Sequence, residues 1–360
     1  MQDKIRIGII GCGGIANGKH MPALSQLDDV EMVAFCDLIE ERAEKAKAKY
    51  GAPDAKVYTD YKELLKDETI EVVHVCTPNR SHSFITIDAL DAGKHVMCEK
   101  PMAKTYAEAQ AMVEAAKRSG KLLTVGYQNR QRAENLYAKA VCEAGDLGDI
   151  YYAKTLAIRR RAVPTWGVFL NEYEQGGGPL IDIATHALDL TLWMMDNYEP
   201  ELCVGRTFRK LADQTHTGNV WGEWDPAKFT VEDSAFAMIT MKNGAVINLE
   251  SSWALNYAYP REATFALCGT KAGIDTFHGV TVNYVKNDRM CIEKPDMDAG
   301  GAAYYDGQSM DSDVLDQRKW IDAVKGKGEL CVKPEQALTV TRILEGIYTS
   351  AKTGKPFFFE

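Results

Sequence analysis

A buried strand that runs without pause into a glycine-rich turn constrains the fold of this chain more than any other feature. Residues 4–10, Lys-Ile-Arg-Ile-Gly-Ile-Ile, read as that strand. Gly11-Cys12-Gly13-Gly14-Ile15-Ala16 follows and opens a helix, and a second apolar run, Val30 to Cys36, ends on Asp37. A parallel βαβ unit with such a first turn is built to hold a dinucleotide. Gly11 permits the tight turn, Gly13 lets the backbone approach a pyrophosphate, and the small Ala16 lets the helix pack on the sheet. The phosphates then meet free N–H groups at the start of a helix, where negative charge is favoured.

Asp37 selects among dinucleotides. A carboxylate at the tip of the second strand accepts hydrogen bonds from both adenosine ribose hydroxyls and repels a 2′-phosphate. Leu38 and Ile39 follow it, and Arg42 stands only a helical turn further on. NAD is therefore expected over NADP. Asp37 is also expected to cap the helix over 40–50, which is compatible with the first role.

Strand and helix patterns continue to alternate through the first third. Strands are expected at 71–76, 95–98 and 122–125, and helices near 81–92 and 106–119. The result is a doubly wound parallel sheet, which binds ligands off the carboxyl ends of its strands. Asn79, Lys100 and Tyr127-Gln128-Asn129-Arg130 fall at those ends. After Gly148 the texture changes. Strand-like runs at 150–157, 234–240, 245–253, 263–267 and 280–285 follow one another with few helices between them. These predict a second, α+β domain with a large, mostly antiparallel open sheet, entered through a helix at 133–143. The expected domains are 1–127 and 128–360. Gly300-Gly301 marks a loop, helices are expected at 314–324 and 334–353 with a return to the first domain, and the terminal aromatics should dock.

Composition narrows the function classes. The net charge of −9 and pI near 5.4 argue against a nucleic-acid partner. Nine scattered cysteines, including Cys12, Cys36, Cys76 and Cys98 in apolar settings, suit buried reduced thiols rather than a disulfide framework. No Cys-x-x-Cys or His-Glu-x-x-His pattern occurs, so no metal is expected. A strand starting within a few residues of Met1 leaves no room for a signal peptide, and no apolar stretch reaches membrane-spanning length. A cytoplasmic protein without a membrane partner is expected.

One later segment carries chemistry: Gly176-Gly177-Gly178-Pro179, then Asp182, His186 and Asp189. The glycines break the preceding structure and Pro179 suits a helix start. On a continuous helix the three polar residues share one face, while Ile181, Ala184, Leu188 and Leu192 pack. A carboxylate beside an imidazole can fix its tautomer and make a proton acceptor near neutral pH. The same spacing also describes an ordinary polar pair on a solvated face.

The combination of the Gly-Cys-Gly-Gly-Ile-Ala turn, Thr77-Pro78-Asn79 with His82, Glu99-Lys100-Pro101 and Gly-Gly-Gly-x-x-x-Asp182-x-x-x-His186 resembles the glucose-fructose oxidoreductase / inositol dehydrogenase / rhizopine-catabolism (Gfo/Idh/MocA) family over essentially the whole length. The resemblance implies that Lys100, Asp182 and His186 are the catalytic set. It also implies a cofactor site that takes in Gly11, Gly13, Gly14, Ile15, Asp37, Thr77, Pro78, Asn79, His82, Glu99, Lys100 and Gln128, although His82 can equally buttress a helix. The implied activity is oxidation of a ring hydroxyl of a sugar, cyclitol or glycoside; the residue types suit His186 as base and Lys100 as stabiliser of the developing alkoxide, while the resemblance leaves open which of the two takes the proton first or whether both relay it. An NAD-dependent glycosidase working by transient oxidation and a non-catalytic dinucleotide-binding regulator are the alternatives. Tyr127, Asn129, Arg159, Trp166 and Tyr173 join Asp182 and His186 as substrate-binding candidates, with Trp253 and Tyr257 as further aromatics, though many large aromatics belong to cores. If residues 159–161 continue a strand, Arg159 and Arg161 face one way, toward a substrate anion or an ion-pair partner. A sheet with few covering helices, and the family's habit, imply a homodimer or homotetramer through that sheet.

Overall fold

The computed structural model describes residues 4–297 and 311–360; the expected loop at Gly300-Gly301 lies outside them. The chain divides into two compact units, the described parts of Met1–Gln131 with Met310–Leu338 and of Arg132–Ser309 with Thr339–Glu360.

The first unit is built on six parallel strands, β1 (Ile5–Ile10), β2 (Val30–Cys36), β3 (Gly51–Tyr58), β4 (Val72–Val75), β5 (His95–Cys98) and β6 (Leu123–Val125), in the order β3-β2-β1-β4-β5-β6. The order reverses between β1 and β4, so the glycine turn after β1 stands at the switch point of the sheet. The strand β3 has no counterpart among the sequence expectations. It carries Pro53 and buries only Ala55, as an edge strand can, so it lacks the apolar run of its central neighbours. The helix Tyr106–Ser119 shows why local chemistry predicts it well: Thr105 and Glu108 form a capping box, and Gly120 ends it at a φ of 67°.

The helix Ser312–Val324 belongs to this unit, where Val314, Trp320 and Ile321 join Ile7, Ile9 and Phe35 in one core. The unit also continues past 127. The buried Arg130 donates to the Cys331 carbonyl at 2.8 Å and to Gln336 Oε1 at 2.9 Å, and Lys319 donates to Gln131 Oε1 at 2.8 Å. Those bonds hold 128–131 to the first unit.

The second unit carries β7 (Ile150–Ile158), β8 (Pro200–Phe208), β9 (Ser234–Met241), β10 (Val246–Ser252), β11 (Arg261–Gly269), β12 (Ala272–Asp275), β13 (Thr281–Lys286), β14 (Arg289–Glu293) and β15 (Phe357–Phe358). Their order is β14-β13-β12-β11-β7-β10-β9-β8-β15, antiparallel among the described residues except for β7 with β10. The terminal aromatics dock as strand β15 against β8. The helix Ala184–Met195 packs on β7, β10 and β11, where Thr155 and Thr191 share a buried hydrogen bond of 2.7 Å. Elsewhere on the sheet Tyr152, Lys154, Phe208, Phe236, Met238 and Glu250 line a shallow open depression.

Candidate active site

The glycine turn of the first unit is a rigid open cradle. Gly11 has a φ of 92°, and a Cβ there would stand 2.7 Å from the carbonyl of Cys76 at the end of β4. A Cβ on Gly13 or Gly14 would meet nothing within 4 Å. Gly11 is thus demanded by the fold, while Gly13 and Gly14 leave the space above the turn clear, as a pyrophosphate requires. Asn17 closes the turn by donating to the carbonyls of Cys12 at 2.8 Å and Gly13 at 3.0 Å.

Asp37 sits at the tip of β2, where Oδ2 accepts from the Cys12 N–H and Oδ1 from the Ile39 N–H, both at 2.9 Å. These bonds aim the carboxylate and still leave each oxygen a lone pair for a hydroxyl. The expected capping role is corrected: the helix Glu40–Tyr50 has Ile39 at its N-cap and no side-chain cap. Ile15, Leu38 and Ile39 are exposed apolar residues beside the turn and the tip. The residues therefore fit an adenine dinucleotide. Burial pushes the Cys12 and Cys36 thiols up to about 12, with Asp37 adding to it, so neither is a nucleophile.

The helix after the turn contains what no sequence pattern indicated. Ala16–His20 is wound as a π-helix before the α-helical turn Met21–Leu24, and it turns Lys19 and His20 inward. Glu99 Oε1 accepts from Lys19 Nζ at 2.9 Å and His20 Nε2 at 2.8 Å, and Oε2 accepts from the Lys100 backbone N–H at 3.0 Å. His20 and His74 meet Nδ1 to Nδ1 at 3.0 Å. With His20 donating from Nε2, the consistent assignment for neutral rings has His74 donate to His20. Burial lowers the pKa of both imidazoles. Burial opposes the charge on Glu99 too, yet Lys19, His20 and Lys100 outweigh it and hold the carboxyl well below its ordinary range. Glu99 thus turns inward and anchors the strand end that carries Lys100. Lys19 also donates to Gln128 Oε1 at 3.2 Å.

His82 is buried with its ring nitrogens 2.8 Å from the carbonyls of Pro101 and Thr77, so it ties together the segments after β4 and β5 in the buttressing role. Thr77 accepts from Ser81 at 2.8 Å, and Pro78 and Asn79 lead into the turn Asn79–Ser81. Tyr127 and Asn129 are both buried, Tyr127 at 1% exposure.

In the second unit the continuous helix expected at 179–190 is interrupted. A short turn Pro179–Asp182 ends at Ile183 (φ −110°), and Ala184–Met195 starts anew. Asp182, His186 and Asp189 are all buried, so the solvated-pair reading is overturned: burying such groups on a mere surface helix would be unfavourable. Asp182 Oδ2 accepts from the Trp253 indole N–H at 3.0 Å, and Trp253 itself is wholly buried, a support for the carboxylate rather than a sugar platform.

The arginine run is also corrected. β7 stops at Ile158, so strand alternation does not govern residues 159–161. Arg159 forms a two-pronged ion pair with Glu262, both bonds 2.6 Å, and Arg161 donates to the Thr217 carbonyl at 3.1 Å. The Arg159 guanidinium lies 5.2 Å from the centre of the Trp221 ring, and Trp221 stands edge-on to Trp166 at 4.9 Å. Trp166, Trp221, Tyr173 and Tyr257 are exposed. Trp221 was missed because a lone tryptophan in a loop carries no periodic signal.

Comparison with known proteins agrees with this arrangement. A family model described as "Oxidoreductase family, NAD-binding Rossmann fold" (GFO_IDH_MocA) matches residues 5–127, and its C-terminal alpha/beta domain matches 139–357. The chain is 35% identical over 350 residues to a D-glucoside 3-dehydrogenase of Escherichia coli, covering 97% of this chain and 96% of that protein. It is 30% identical over 316 residues to a levoglucosan dehydrogenase of Pseudarthrobacter phenanthrenivorans, covering 81% and 76%. A solved levoglucosan dehydrogenase in complex with NADH shares the fold, with a TM-score of 0.83, 21% identity, and coverage of 99% of this chain and 100% of that one. Among the described residues no helix is long and apolar enough to cross a membrane.

The two glycines of the turn should separate experimentally. Gly11→Ala forces a positive φ and a backbone clash, so it should destabilise the fold by about 1–3 kcal/mol or more in a thermal melt. Gly13→Ala should melt within about 0.5 kcal/mol of the parent and weaken NAD in a calorimetric titration. Equal melting of both variants would contradict the assigned roles.

Proposed function

This chain belongs to the Gfo/Idh/MocA oxidoreductase family, and on that premise we propose that it oxidises a ring hydroxyl of a sugar, cyclitol or glycoside to a ketone, with NAD as its cofactor. The burial of Asp182 and His186 is the observation that carries this reading. Gly11, Gly13, Gly14, Ile15 and Asp37 would hold the pyrophosphate and adenosine end of the cofactor, with Thr77, Pro78 and Asn79 at the end of β4. When bound, NAD supplies a hydride acceptor. His186, with Asp182 four residues before it in the sequence, takes the proton of the reacting hydroxyl. Lys100, set by the anchored Glu99, stabilises the negative charge on that oxygen. Relatives named as dehydrogenases favour net oxidation over the NAD-recycling glycosidase and over the non-catalytic regulator. Nine unpaired cysteines suit a reducing compartment such as the cytoplasm.

Lys100→Met and His186→Asn should each lower turnover roughly 10²- to 10⁴-fold, with NAD affinity within a few-fold of the parent. A panel of methyl glucosides, disaccharides and inositols, followed by NADH absorbance, identifies the substrate for that measurement. Turnover within a few-fold of the parent in both variants would overturn the catalytic assignment.

Asp37 faces the 2′ position in this reading, so NAD should bind at least about tenfold tighter than NADP, equivalent to about 1.4 kcal/mol. Calorimetry with both cofactors decides it, and equal affinity would remove Asp37 from the role.

The open sheet face with Phe236 and Met238 would be covered by a second copy of the chain. Light scattering should give at least twice the 39.9 kDa chain mass, and a monomer at micromolar concentration would refute the assembly.

A further inference from the structure

The triple glycine before Asp182 admits two side chains from distant parts of the second unit. Gly176 takes a φ of 84° and closes the turn Glu172–Gln175. A Cβ on Gly177 would stand 2.0 Å from the Tyr348 hydroxyl, and one on Gly178 would stand 2.1 Å from the Glu232 carbonyl oxygen. Only glycine lets both groups come so near. What they do there is specific. Glu232 Oε2 accepts from the Gly178 N–H at 2.9 Å, and Oε1 accepts from the Leu180 N–H at 3.1 Å and from the Tyr348 hydroxyl at 2.8 Å.

Three donors converge on one carboxylate, and two are the backbone groups that begin the turn ending at Asp182. The far side of that turn is held as well: Ser251 donates to the Pro179 carbonyl at 2.9 Å, and the Trp253 indole holds Asp182 at 3.0 Å. We propose that Glu232 and Tyr348 are positioning residues for the Asp182–His186 pair, clamping the Gly178–Asp182 turn in the one arrangement that presents the carboxylate and the imidazole together. The inference rests on the catalytic reading of that pair.

The ionised carboxylate accepts from all three donors at once, whereas a proton on it competes with a backbone N–H at Oε2 or forces the Tyr348 hydroxyl at Oε1 to turn from donor to acceptor. Burial works against that state and raises Glu232 to about 7, despite the three bonds. The charged or titratable groups facing the clamp are Tyr348 itself and, beyond it, Glu172, which adds to the rise in the tyrosine's pKa. No cation compensates the charge among these neighbours. The folded-state pKa of Glu232 is thus raised, so its ionised form is lost as pH falls through about 7 and the clamp tightens above it.

Tyr348→Phe keeps the ring beside Gly177 and removes one donor. Glu232→Gln places an amide NH₂ where a donor already points. The test uses the NAD-loaded full chain with a methyl glucoside or inositol from the panel, His186→Asn measured in parallel, and hydrogen exchange on the peptide spanning 176–186. Expected are full NAD stoichiometry and unchanged NAD affinity, and a kcat lowered about tenfold with KM within about twofold. The acid limb of kcat should shift, and exchange should quicken about tenfold in that peptide alone. If Glu232→Gln fails to fold, Tyr348→Phe decides. Should Tyr348→Phe keep the parent's kcat, acid limb and exchange while His186→Asn loses turnover, the clamp is overturned and the catalytic reading stands. Should His186→Asn keep its turnover, the reading falls and with it the functional role of the clamp, whatever the exchange shows.

Discussion

A carboxylate can be buried only if cations and donors meet it, and Glu99 states that constraint for the first unit. Its two oxygens are met by Lys19, His20 and the Lys100 backbone N–H. An isolated buried charge of this kind would be strongly unfavourable, and removing one partner of a buried pair typically destabilises by about 3–5 kcal/mol. The π-turn at Ala16–His20 follows from this need: it delivers both partners inward from the helix that begins at the glycine turn. The turn proposed for the pyrophosphate and the strand end that carries Lys100 therefore share one buried electrostatic support.

The second unit meets a parallel problem with hydrogen bonds from several elements and with the nearby charge of Arg159. Asp182 is buried at the end of the turn Pro179–Asp182 and His186 in the largely apolar helix that follows, and the turn is restrained from several sides, by Glu232, Tyr348, Ser251 and Trp253. Hydrogen-bonded networks of this kind are effective when every member is met, because the low local dielectric strengthens each bond and penalises each vacancy. The break at Ile183 allows the turn and the following helix to take separate orientations.

Much of the fold was legible in the chain. Apolar runs located β1, β2, β5, β7 and β9, and the alternation of strand and helix patterns located the helix at 106–119. The misses have a common origin. β3 is an edge strand with a proline, β12, β14 and β15 are short, and β8 buries Pro200, Cys203 and Gly205 while exposing Val204, so none presents in its residue types the alternation that marks a half-buried strand. Trp253 reads as lining because exposure depends on what packs against a ring, which composition does not contain.

The sequence by itself determined the strongly patterned elements, the glycine turn with Asp37 beyond it, and the spacing of Lys100, Asp182 and His186, because these depend on backbone sterics and local periodicity. Tertiary structure alone decided which polar groups are buried and what holds them. Lys19 and Glu99 are 80 residues apart, and Glu232 and Tyr348 are 116 apart. No local pattern couples such positions; they are selected by the packing of whole elements, which brings a donor to each buried acceptor or leaves the fold without it.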